Sequence, residues 1–217
     1  TMIARRTCAL QLHAEDTTEV GVYRGTEPGG RALQRTQDAS GVALTRAGRP
    51  LKLSTAGPMA DGDLIETRSD TAVQISYAPG HQVLILPGTR VRLGTLYLFI
   101  GELLIRARGM FHIETSFMTA GVEGTEFLVR AEGNGDKVDV IVTEGAVICR
   151  SNVDLWSPVR VAAAEQLRAL AATSEAEPDG GSGVTLFRGP GNSKVQKQPA
   201  RGSDLARMQS LSREMES

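Results

Sequence analysis

Apolar and polar residues alternate through the middle of the chain. Between residues 110 and 149 three runs carry the pattern: Phe111–Thr115, Thr125–Ala131 and Lys137–Cys149. In the second, Thr125, Phe127, Val129 and Ala131 fall on one side, with Glu126, Leu128 and Arg130 on the other. In the third, Val138, Val140 and Val142 share a side, with Asp139, Ile141 and Thr143 behind them. A period of two with β-branched residues predicts strands. Glu144-Gly145 splits the last run and predicts a tight hairpin.

The pattern continues upstream. Gly41–Arg46 and Leu51–Thr55 flank a Gly48-Arg49-Pro50 turn, and Leu64–Thr67, Thr71–Ala78, Gln82–Leu86, Arg90–Leu93 and Thr95–Ile100 follow. The greasy run Leu96–Ile105 reads as strands about Gly101. Roughly a dozen short strands with turn signals every 8–12 residues predict an all-β domain, a sandwich or a β-solenoid-like roll. Gly124 and Gly145 are expected at turns, where positive φ is cheap for glycine, and Gly124→Val is expected to disrupt the domain.

Outside this body the pattern changes. Residues 1–40 form an N-terminal polar segment with one short strand at Val20–Tyr23, and residues 41–168 form the β domain. Ala162–Ala172 has helical propensity, so a strand is expected through Val161 and a short helix or coil after it. Residues 169–202 read as a flexible linker that contains the apolar run Val184–Phe187. Residues 203–217 read as an amphipathic helix, capped by Ser203, with Leu205, Met208, Leu211 and Met215 on one face. A helix this short needs a surface, either its own domain or a partner. Val184, Leu186, Phe187, Leu205, Met208, Leu211 and Met215 are therefore the partner-binding candidates, since a strand can add to a sheet edge and a helix can fill a groove.

Composition removes several function classes. Lys and Arg number 24 against 25 Asp and Glu, a net charge of -1, and aromatics are 4%. Nucleic-acid binding needs a concentrated basic footprint or stacking platforms, and this balance argues against it. His13, His81 and His112 are too scattered for a metal cluster. His112-Ile113-Glu114 has a deaminase-like spacing but lacks the downstream Pro-Cys-x-x-Cys. No nucleophile elbow, P-loop or dinucleotide fingerprint occurs. Glu123, Glu126 and Glu144 read as a solvated face. The chain is expected to be no enzyme and to hold no cofactor. Cys149 ends an apolar run and reads as a buried inert thiol; sequence does not show whether Cys8 comes within bridging range. No run approaches the roughly 20 apolar residues of a membrane helix. Thr1–Arg6 is basic, but Cys8–Leu12 is too short for a signal core, so this start reads either as the remnant of an export signal or as a cut end.

Four motifs, in order, carry a resemblance. They are Gly62-Asp63-Leu64-Ile65-Glu66-Thr67; Tyr77-Ala78-Pro79-Gly80 through Leu86-Pro87-Gly88-Thr89; Phe111–Thr115 with Val122–Val129; and Val140–Val147. Over about residues 41–168 the chain resembles the FecR domain of bacterial envelope regulators. Gly62, Asp63, Thr67, Thr115, Gly124, Thr125, Phe127, Glu144 and Gly145 are its structural motif residues here. The resemblance also implies a closing strand over Val159–Leu167, with Ala164 where a glycine is usual. It implies a periplasmic or otherwise extracytoplasmic location and envelope-protein partners, a second copy of the chain among them. The extra tail favours an exported module serving as a structural or adaptor component of an envelope assembly. The alternative is the periplasmic sensor part of a FecR-type regulator that controls an extracytoplasmic-function sigma factor.

Overall fold

The chain runs back and forth between two layers, changing layer at tight corners. The structure, a computed structural model, describes residues 13–216 except 26–32, 54–57, 79, 153, 155, 172–184 and 189–193. Cys8 lies outside the described residues, as do 172–184, Val184 among them, and 189–193 of the expected 169–202 linker.

In chain order the first strands are β1 (Thr17–Arg24), β2 (Gln34–Thr36), β3 (Val42–Arg46), β4 (Arg49–Leu51), β5 (Leu64–Thr67) and β6 (Thr71–Tyr77). Then come β7 (His81–Ile85), β8 (Arg90–Arg92), β9 (Tyr97–Arg106), β10 (Met110–Glu114), β11 (Met118–Glu123) and β12 (Glu126–Glu132). The last are β13 (Lys137–Glu144), β14 (Ala146–Ser151), β15 (Val159–Ala162), β16 (Glu165–Leu170), β17 (Thr185–Arg188) and β18 (Lys194–Pro199), followed by helix α1 (Gly202–Glu214).

Sheet A is antiparallel throughout, in the order β2-β1-β6-β7-β9-β12-β13-β16-β18-β17. Sheet B has the order β4-β3-β5-β8-β9-β10-β11-β14-β15. Strand β9 belongs to both. Its first half pairs with β8 and its second with β7 and β12, and the bend falls at Gly101, where φ is +97°.

The predicted alternation sets the layers. Phe127, Val129, Val138, Val140 and Val142 point between the sheets and meet Ile65, Val91, Leu98, Ile113, Val147 and Val161 in one core. Cys149 is wholly buried there, and burial pushes its thiol pKa up to about 12. We expect iodoacetamide at pH 8 to leave the Cys149 peptide unlabelled in native protein and to modify it once denaturant is added, read by mass spectrometry.

Three sequence expectations change. The sheet starts before residue 41, because β1 carries Val20 and Val22 into the core and pairs with β6 along its length. Residues 159–170 form two strands, β15 in sheet B and β16 in sheet A, joined by a corner, rather than a strand followed by helix or coil. The helical propensity of 165–170 loses to pairing with β13 on one side and β18 on the other, and Ala164 takes the corner at φ +62°. Glu144-Gly145 is a corner between layers, not a hairpin. Both edges of β13 are already taken by β12 and β16, so β14 crosses to sheet B and pairs with β11 and β15.

Candidate functional site

The resemblance motifs assemble into corners. Asp63 is fully buried; it accepts hydrogen bonds from Arg46 Nε and Nη2, both at 2.7 Å, and from the Ala60 amide at 2.9 Å. This bond holds the Arg46 guanidinium pKa above its usual value. Thr67 Oγ1 donates to the Leu86 carbonyl at 2.7 Å and accepts from the Thr89 amide at 3.0 Å, tying the β5–β6 corner to the β7–β8 corner. Thr125 Oγ1 donates to the Ala146 carbonyl at 3.1 Å, tying the β11–β12 corner to the β13–β14 corner in the same manner. Thr115 Oγ1 donates to the Met118 carbonyl at 3.0 Å and closes the β10–β11 turn. A buried threonine hydroxyl satisfies backbone groups that the strand ladders leave unpaired. Gly62, Gly124 and Gly145 all have positive φ, but their surroundings differ. A Cβ on Gly145 would sit 2.8 Å from Gly124 O and from Thr125 Oγ1, whereas one on Gly124 would meet nothing within 4 Å. The crowded position is therefore Gly145, and Gly124→Val meets backbone strain alone. Phe127 fills the core behind these corners, and Glu144 is exposed.

The outer face of sheet A carries the surface the sequence did not announce. One cross-strand row is apolar: Leu84, Leu104, Leu128 and Ile141 lie on four neighbouring strands. Helix α1 lies across this row. Met208, Leu211 and Met215 are buried on it and Leu205 is partly buried. The helical partner-binding candidates thus lie against their own chain, one of the two surfaces the sequence leaves open. The helix starts after Arg201, and no side chain caps it, so Ser203 is not the cap. The apolar run of the tail also serves this chain: Leu186 and Phe187 belong to β17, which extends sheet A through β18. Changing Leu211 to Asp would place a charge on a wholly buried face. We expect a loss of about 3 kcal/mol, measured by urea unfolding, with dye binding to the uncovered row.

A charged row runs beside the apolar one. Glu102, Arg130, Asp139 and Arg168 stand opposite one another in register across β9, β12, β13 and β16. Arg130 Nε meets Glu102 at 2.6 Å, and Arg168 Nε meets Asp139 at 2.7 Å. The Asp139 bond holds the Arg168 pKa above its usual value. Arg207 of the helix joins the row through Glu102 at 2.7 Å. On the other flank Ser212 donates to Glu126 at 2.6 Å, and Gln74 donates to the Met215 carbonyl at 3.2 Å. The helix is gripped along both sides as well as underneath.

Metal-binding chemistry is not assembled among the described residues. They bring together no group of three His, Cys, Asp or Glu side chains able to hold a metal ion. His112 and Glu114 share the outer face of sheet B on β10, whose strand alternation places them there. A polar groove of about 710 Å³ opens past the C-terminal end of α1, where Arg35 pairs with Glu19, and Arg106 with Glu216 at 3.2 Å. Arg108 lines it too, so three arginines stand there against two glutamates. No helix among the described residues is long and apolar enough to cross a membrane.

The FecR protein family profile matches residues 63–148, from Asp63 at the first corner to Ile148 in β14. Over those residues the chain is similar to the FecR protein family. Two solved structures of candidate anti-sigma factors from Parabacteroides distasonis are similar to it. One is 17% identical, with 61% of this chain and 57% of the other covered and a TM-score of 0.45. The other is 18% identical, with 62% and 58% covered and a TM-score of 0.46. In both pairs the likeness spans less than two thirds of the other chain. No curated protein matches the chain significantly. The FecR match ends before β15, so the closing strands β15, β16 and β18 and the helix lie beyond it.

Proposed function

We propose that this chain is the extracytoplasmic sensor part of a FecR-type regulator, acting by protein contact rather than by catalysis. In that role it reports an envelope signal to an extracytoplasmic-function sigma factor. The observation that carries the reading is the FecR match over residues 63–148, which supplies the centre of both layers. A second observation weakens the adaptor reading. That reading drew on the tail as a partner-binding arm, yet β17 and β18 extend the chain's own sheet and α1 lies on that sheet's face. Deleting the coding region in the source bacterium and sequencing its transcripts tests the proposal. The expected result is an altered sigma-dependent gene set, restored by the wild-type gene. Unchanged transcripts with a changed composition of an envelope complex would overturn it in favour of the adaptor. A fused alkaline phosphatase, active only outside the cytoplasm, tests the location.

A further inference from the structure

The two outer faces of the sandwich are unequal. Sheet A is covered by α1. Sheet B exposes a cluster of arginines and rings on β8 and the first half of β9. Tyr97 and Phe99 stand 4.6 Å apart, centroid to centroid, tilted by 55°. The Arg92 guanidinium lies 5.1 Å from the Tyr97 ring centre and 5.9 Å from that of Phe99, and Arg90 lies 5.3 Å from Phe99. Arg90 is neutralised by Glu66 at 3.3 Å. Arg92 is not: its cross-strand neighbours are Leu64 and Tyr97, and no carboxylate pairs with it among the described residues.

We propose that this patch is where the domain docks its partner, and that the partner presents an acidic segment with an apolar residue beside the carboxylate. Stacking on two rings holds the Arg92 fork in place before any partner arrives, so less freedom is lost on binding. The fork matches a carboxylate with two parallel hydrogen bonds, and the rings beneath it shed water when covered. Phe99 offers the apolar contact alongside. Arginine and tyrosine are the side chains on which protein interfaces most often depend. A nucleic-acid strand fits less well: Glu66 and Glu114 flank the cluster and would face its phosphates.

The surface rests on the protein-contact reading above, but its test is independent of it. The whole chain, labelled with nitrogen-15, is titrated with a ten-residue peptide of alternating Glu and Phe, its Lys–Phe counterpart, and an oligothymidylate. The Glu peptide is expected to shift amide signals of β8 and β9. Its affinity should fall about ten-fold or more in Arg92→Glu, which alters an exposed side chain, and that variant should gain the Lys peptide. Tyr97→Ala should weaken the Glu peptide without creating preference for the Lys one. Shifts elsewhere, equal binding by Arg92→Glu, or tighter binding of oligothymidylate would each overturn the proposal. Such a failure leaves the regulator reading standing, while unchanged transcripts in the deletion strain would leave the patch standing.

Discussion

Gly101→Val is expected to abolish folding of the chain at ordinary temperature. A Cβ at residue 101 would sit 2.5 Å from the Thr89 Cα and 2.3 Å from its Oγ1, and φ there is +97°. A branched residue resists that backbone region, and the Thr89 backbone has nowhere to go. Thr89 Oγ1 is itself fixed, accepting from the Glu102 amide at 2.9 Å and donating to the Glu102 carbonyl at 3.2 Å. The bend is also the point where β9 leaves sheet B for sheet A, so the insult reaches both layers. The loss should exceed about 4 kcal/mol. Circular dichroism and size-exclusion chromatography read it; a melting temperature within a few degrees of wild type would show that the bend tolerates a side chain. Gly124→Val, in open space, should cost much less.

Asp139→Ala should be the costliest of the charge-removing changes on sheet A. The Asp139 side chain is 1% exposed and faces Arg168 at 2.7 Å and Arg130 at 4.0 Å. Removing it leaves two guanidinium groups, each roughly three-quarters covered, with a partner missing between them. Breaking a buried pair from one side costs about 3 kcal/mol or more, because the remaining charge keeps its desolvation penalty. Replacing both members, Asp139→Leu with Arg168→Met, should recover a large part of that loss. Urea unfolding of the two variants decides it. Equal stability of the single and double variants would mean that the row is held by Glu102 and Arg130 alone.

The faces of the strands were legible because alternation is a local property. Phe127 and Val129 in the core and Leu128 outside follow from spacing alone. The strand that a corner leads to is not local. Glu144-Gly145 has hairpin composition, yet the edge a hairpin would use was filled by β16, which lies about twenty residues downstream. Residues 165–170 carry a strand signal, since Leu167 and Ala169 alternate with Gln166 and Arg168, but the alanines around them give an equally local helix signal. For the helix, its apolar stripe was visible and its landing place was not. Leu84, Leu104, Leu128 and Ile141 look like ordinary core residues in sequence, and only register brings them into one row. The Arg90–Arg92–Tyr97–Phe99 cluster was equally hidden, since it joins two strands across a bulge.

The borders of the family match have a consequence for anyone isolating it. Residue 63 lies just before β5 and residue 148 falls inside β14, while β6 takes one of its ladders from β1 and β13 takes one of its ladders from β16. A fragment trimmed to those limits would expose two raw seams in sheet A, each long and greasy. Such seams stick to one another, and the excised piece should precipitate or polymerise where the longer chain stays dispersed.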